Sequence, residues 1–113
     1  MAVPQEVDIT NAKRLRLALL HAAAGSPPAV VVDMTRTRFC DSAGLHVLID
    51  AHKKAQAEDG EVLLAQPGPA ILRVMQLTGI DQVIPSYASL DKALAAALES
   101  AERRSGLRDL EHD

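Results

Sequence analysis

Ala29-Val30-Val31-Val32-Asp33-Met34, followed after a polar loop by Phe39-Cys40-Asp41-Ser42-Ala43-Gly44-Leu45, is the stretch on which the reading of this chain turns. The first part is a short β-branched run and reads as a central strand buried on both faces. Thr35-Arg36-Thr37-Arg38 forms the loop. The second part is a small-residue turn that brings a carboxylate and a hydroxyl to the start of a helix. In that helix, from Ser42 to about Glu58, Leu45, Leu48, Ile49, His52 and Ala55 share one face, while Asp50, Lys53, Lys54 and Glu58 share another. A helix start offers unpaired N–H groups and a positive dipole end, so this turn accepts an anion with little rearrangement. Asp41 or Ser42 can equally serve as an ordinary helix cap, and the two uses are compatible.

Working outward, Thr10 or Asn11 caps a helix to about Ala24, with Leu15, Ala18, Leu19 and Ala22 at helical spacing and Gly25 as its stop. Ser26-Pro27-Pro28 forces an extended turn. Asp59-Gly60 ends the second helix, and Glu61-Val62-Leu63-Leu64-Ala65 reads as a strand. Pro69 suits the first turn of a third helix carrying Ile71, Leu72 and Met75, and Gly79 closes it. Gln82-Val83-Ile84-Pro85 predicts a short edge strand, since proline cannot donate to a ladder. Ser89 caps a last helix with Leu90, Leu94, Ala97, Leu98 and Ala101 on its buried side. Charge and glycine from Arg103 to Asp113 predict a flexible tail. The alternation is α/β: one domain over residues 1–102, a small central sheet with right-handed crossovers flanked by about four helices.

Composition narrows the function classes. The chain has 113 residues, 48% of them apolar, and Phe39 and Tyr87 are its only aromatics. With a net charge of −3 and so few rings, neither phosphate attraction nor base stacking is available, which argues against nucleic acid. The single cysteine, Cys40, excludes an internal disulfide, fits a reducing compartment and reads as a buried small apolar residue. No apolar run approaches the roughly 18–20 residues of a membrane-spanning helix, and the first residues lack a basic-then-apolar signal, so a cytoplasmic location is expected. His21, His46, His52 and His112 show no metal-ligand spacing. No cofactor is implied. Ser42 lies in no Gly-x-Ser-x-Gly elbow and has no base placed for it, so an enzyme is not expected.

The central block, Val30-Val31-Val32-Asp33-Met34 with Phe39-Cys40-Asp41-Ser42-Ala43-Gly44-Leu45, resembles the STAS domain of bacterial anti-sigma factor antagonists. Further landmarks follow in the family's order: Gln5-Glu6-Val7-Asp8 is similar to its Gly-Glu-Leu-Asp stretch, and Gly60-Glu61-Val62-Leu63-Leu64 to the strand after its first long helix. The run from Pro69 to Ile80 is similar to its helix ending in a Thr/Ser-Gly-hydrophobic turn, and Ser89-Leu90-Asp91-Lys92-Ala93-Leu94 to the start of its closing helix.

The resemblance implies a regulator rather than a catalyst. In it, the serine after the aspartate, here Ser42, is phosphorylated by the partner anti-sigma factor, a serine kinase of the histidine-kinase-like ATPase type, and a phosphatase reverses the mark. Asp41, Ser42, Ala43 and Gly44 then form the partner surface, framed by Asp8 and Arg38. The bland readings are a solvent carboxylate for Asp8, a solvated basic loop for Arg38 and a tolerated first-turn glycine for Gly44. An alternative within the family is a non-phosphorylated scaffold or accessory subunit of a membrane lipid-transport ATPase; Ala43 replaces a serine often seen in antagonists. Family members usually carry a strand and most of a second before the Gly-Glu-Leu-Asp stretch, where this chain has four residues. The expectation is a sheet with N-terminal strands missing or shortened, whose open edge invites a second copy to pair.

Overall fold

The computed structural model describes the backbone of residues 6–7, 11–25 and 27–112 and the side chains of 11–25 and 27–103. These residues form β1 (Glu6–Val7), α1 (Ala12–Ala22), β2 (Ala29–Asp33), β3 (Phe39–Cys40), α2 (Ser42–Ala57), β4 (Glu61–Ala65), α3 (Pro69–Thr78), a 3-10 turn (Ile80–Gln82), β5 (Ser86–Tyr87) and α4 (Leu90–His112). The expected α/β class and its small, helix-flanked sheet are what the chain adopts. All strand pairs are parallel. β2, β4 and β5 form one sheet in that order, with Ala29 opposite Glu61 and Leu64 opposite Ser86. β1 pairs with β3, Glu6 opposite Phe39.

Among the described residues the valine-rich strand is not the one flanked on both sides. β4 takes that place, with Val62, Leu63, Leu64 and Ala65 all at most 2% exposed, whereas β2 alternates and buries only Val30 and Val32. β-branched residues suit a half-buried pleat as well as a fully buried strand, so the expected burial of this run on both faces is not what it shows. Alternate β4 side chains serve opposite layers. Val62 and Leu64 join the core with Leu19 of α1, Leu48 of α2 and Met75 of α3, while Leu63 falls outside that cluster, and α4 packs on β2 and β4. Glu61 shares the Leu63 pleat and accepts a hydrogen bond from the Ser100 hydroxyl of α4, which also accepts from Arg103 at 3.1 Å.

α4 differs from the periodicity reading. Among the described side chains its buried residues are Ala93 and Ser100, and Leu94 and Leu98 are 46% and 67% exposed. Small side chains at helical spacing let the helix sit close to the sheet, which turns the leucines outward. The helical backbone also continues to His112 through the segment expected to be a tail. That segment contains Glu, Arg and Leu, all good helix formers, and only one glycine. The strand expected at Gln82–Pro85 is absent as well. Gly79 adopts φ 80° and turns the chain into a 3-10 segment, where Val83 N–H bonds Ile80 O at 2.9 Å and Ile84 N–H the same oxygen at 3.0 Å. Ile84 is fully buried as a core plug, and the edge strand follows at Ser86–Tyr87. The Ser89 cap is present, its Oγ accepting from Lys92 N–H at 3.2 Å.

Two contacts fix where β4 begins. Gly60 N–H bonds Ala55 O at 2.7 Å, Glu61 N–H bonds Pro28 O at 3.2 Å, and a Cβ on Gly60 would stand 2.8 Å from Pro27 O. Glycine is required here by close backbone approach. Next to it, buried His52 of α2 accepts the Val62 N–H on Nδ1 at 3.0 Å, tying helix to strand. Burial holds its pKa below the ordinary value, opposed by the Glu61 carboxylate and by backbone hydrogen bonds.

Gly60→Ala is expected to cost about 1–3 kcal/mol, read as a lower urea midpoint at unchanged m-value, because a backbone carbonyl cannot yield cheaply. For His52, the folded pKa is depressed, so the unfolded chain takes up the proton first as pH falls. The stability contributed by neutral His52 is complete above about pH 6.5 and is lost below it as pH approaches the lower folded pKa. Urea melts across this window should show that decline, and His52→Gln should flatten it.

Candidate functional site

Parallel pairing of β2 with β4 requires the connection between them to leave at one end of the sheet and return at the other. α2 makes that return, so its N-terminus stands at the carboxyl-terminal edge of the strands, where α/β folds place their sites. The loop after β2 is braced locally. Asp33 Oδ1 accepts from Thr35 N–H at 3.0 Å and from the Thr35 hydroxyl, and these bonds draw the Asp33 carboxyl below its usual range. Thr37, 3% exposed, closes the turn by donating its N–H to Met34 O at 3.0 Å. A Cβ on Gly68, at the cap position of α3, would meet Thr37 O at 3.4 Å, so the loops after β2 and β4 touch.

The chain then enters β3 with alternating sides. Cys40 points into the core at 8% exposure, and Phe39 points out at 52%. Burial, with the adjacent Asp41 carboxylate adding to it, pushes the Cys40 thiol up to about 11. Asp41 is the helix cap: its backbone is extended, its Oδ1 accepts the Gly44 N–H at 3.1 Å, and its carbonyl accepts the Leu45 N–H at 3.0 Å. Ser42 begins the helix, exposed, and its hydroxyl has no hydrogen-bond partner among the described residues. The N–H groups of Ser42 and Ala43 are likewise unpaired among those residues.

Asp41 therefore performs the structural task, and Ser42 keeps an accessible hydroxyl beside two open donors and a positive helix end. Ala43 is half-buried and Gly44 buried, its N–H consumed by Asp41. Arg38 is exposed in the loop and makes no ion pair with Asp41. Asp8 lies outside the described residues. The site residues brought into contact are thus Asp41 and Gly44, with Ser42 between them. Phe39 is the residue that sequence reasoning passed over; its signal was the period-two alternation with a core cysteine.

A separate cavity of about 170 Å³ lies between α1 and α2, floored by Leu19, Val30, Val47 and Val62 and rimmed by Arg16, Asp50, Lys54 and Glu58. Its floor is apolar, and Arg16 and Asp50 pair across the rim at 3.8 Å. It shares no residue with the Asp41–Ser42 turn. Among the described residues no cluster of three His, Cys, Asp or Glu side chains is arranged to hold a metal, and no helix is long and apolar enough to cross a membrane.

Known proteins share this family and fold. The family description "STAS domain" matches residues 1–93. BtrV of Bordetella bronchiseptica, named as an anti-sigma factor antagonist, is 30% identical over 95 residues, 84% of this chain and 81% of that protein. The anti-sigma-F factor antagonist RsfB of Mycobacterium tuberculosis is 27% identical over 83% of this chain and 76% of its own. The crystal structure of an anti-sigma factor antagonist from Mycobacterium paratuberculosis superposes with a TM-score of 0.74 at 38% identity, covering 85% of this chain and 81% of that one.

Because Asp41 caps the helix and Ser42 does not, the two substitutions should separate. Asp41→Ala is expected to lower stability by about 1 kcal/mol. Ser42→Ala should stay within about 0.5 kcal/mol of the parent. Parallel urea melts measure both, and equal losses would return the capping role to Ser42.

Proposed function

Because this chain belongs to the STAS domain family, we propose that it is an anti-sigma factor antagonist working by partner switching. The unphosphorylated form binds an anti-sigma factor and frees its sigma factor; the anti-sigma factor, an ATP-dependent serine kinase, phosphorylates Ser42 and is released. A phosphatase restores the binding form. The setting is the cytoplasm, where sigma factors act, and the protein performs no catalysis of its own.

One observation supports this reading above the rest: the hydroxyl of Ser42 is exposed and unused, while the cap it would otherwise serve is supplied by Asp41. A phosphate there adds about −1.5 to −2 charges and three acceptor oxygens. The open N–H groups and dipole of α2 accommodate it, with a gain of about 0.3–1 kcal/mol. A docked partner fares differently. The added anion stands beside Asp41 at the contact, and a loss of about 2.7 kcal/mol is enough to weaken binding 100-fold. Arg38, Ala43, Gly44 and Asp8 complete the surface in this reading, Gly44 by giving up side-chain bulk at the first helical turn.

Incubation with the cognate anti-sigma factor and ATP, followed by mass spectrometry, should place one phosphate on Ser42 and none on the Ser42→Ala variant. A parent protein left unmodified, or a Ser42→Ala variant modified at an equal rate, would sink the switch. Ser42→Glu should fold normally and bind the anti-sigma factor on the order of 10–100-fold more weakly, measured by calorimetry. Equal affinity would remove charge as its mechanism.

A further inference from the structure

We propose that Phe39 is the apolar anchor by which the anti-sigma factor kinase grips this protein, so that affinity comes from Phe39 and control of affinity from Ser42. The inference rests on the partner-switching reading and goes beyond it by separating the residue that holds the partner from the residue that is modified.

Phe39 is the only phenylalanine of the chain, and the residue is 52% exposed. The alternation of β3 explains why it faces out: Cys40 must enter the core, so its neighbour cannot. Other exposed leucines, Leu17, Leu77 and Leu98, ride on α1, α3 and α4. Phe39 instead sits on the strand that leads directly into the Asp41–Ser42 turn. Three residues of extended chain span at most about 11 Å, which bounds its distance from Ser42.

Size then decides whether the partner covers it. A stable interface takes about 800 Å² from each side, equivalent to a disc about 16 Å in radius. A contact of that size centred on the Ser42 hydroxyl extends far enough to take in Phe39. Large aromatics near the centre of such contacts carry a disproportionate share of binding energy, since they bury much area for little lost conformational freedom. Arg38 precedes Phe39 in the chain, exposed and without an ion pair among the described residues. The matching surface on the kinase is an apolar pocket with a carboxylate at its rim, next to the nucleotide site. Phosphate on Ser42 leaves this anchor in place but sets a double charge beside it, so the same contact is released without refolding.

Calorimetric binding to the cognate kinase tests this with the parent, Phe39→Ala, Phe39→Leu and, as a control on a remote exposed leucine, Leu98→Ala. Phe39→Ala should weaken binding at least tenfold, about 1.4 kcal/mol, with an unchanged urea midpoint. Phe39→Leu should recover most of the loss, and Leu98→Ala should stay within about twofold of the parent. In phosphorylation assays Phe39→Ala should raise KM and leave kcat within about twofold, the mark of lost uniform binding. A photoreactive benzoylphenylalanine in place of Phe39 should crosslink to the kinase, a readout independent of stability. If the parent is bound and phosphorylated but Phe39→Ala matches it in affinity, the anchor is overturned and the switch stands. If the parent is neither bound nor phosphorylated, both fall.

Discussion

The parallel ladder between β2 and β4 is the interaction on which the rest of the structure depends. Five residues of each strand run in register from Ala29–Glu61 to Asp33–Ala65. Parallel neighbours cannot be joined by a tight turn, so the chain must cross over, and the crossover carries the loop, β3 and α2 in that order. The ladder's starting point is set by backbone contact at Gly60 and by His52, which hold the end of α2 and the start of β4 together. With that end pinned, the other end of α2 is confined to the opposite edge of the sheet. The position of Asp41 and Ser42 is therefore a consequence of strand pairing, not of the turn's own residues.

Within the turn, two demands that usually compete are met by different residues. A helix start needs a side-chain acceptor, and a modifiable serine needs a free hydroxyl; one residue cannot serve both without making modification disrupt the helix. Here Asp41 accepts from Gly44, and Ser42 is left to solvent. The energetic scales then diverge in a useful direction. Effects of an added anion on the fold are of the order of a helix-dipole interaction, under about 1 kcal/mol, less than the ~2.7 kcal/mol that a 100-fold change in affinity requires, about twice what a tenfold change takes. An anion added at this turn therefore does not threaten the domain.

Much of this was legible in the sequence, and the failures have common physics. The capped start of α2, the strand Glu61–Ala65, the Pro69 helix start and the Gly79 stop all rest on short-range signals that tertiary packing does not override. What could not be read was which neighbour each element would meet. Val30–Val32 outranked Leu63–Leu64 in β propensity, yet β4 buries four successive residues and β2 only alternate ones. Val83 and Ile84 looked like a strand by composition, but Ile84 is needed in the core, where a 3-10 turn delivers it. On α4, Leu94 and Leu98 had the periodicity of a buried stripe, and the close approach of Ala93 and Ser100 to the sheet turned them out. For the site, the dual nature of Asp41-Ser42 as cap or acceptor was undecided until a hydrogen bond assigned the cap to one of them.

Cys40 carries one more consequence. Its thiol lies next but one to Ser42, close enough for any oxidation or alkylation to distort the turn. Burial pushes it up to about 11, so the neutral thiol prevails at neutral pH, and the residue faces the core with an exposure of 8%. Peroxides and electrophiles react with exposed thiolates, so this sulfur is shielded by both equilibrium and access. The turn is thereby insulated from oxidation or alkylation through its own cysteine.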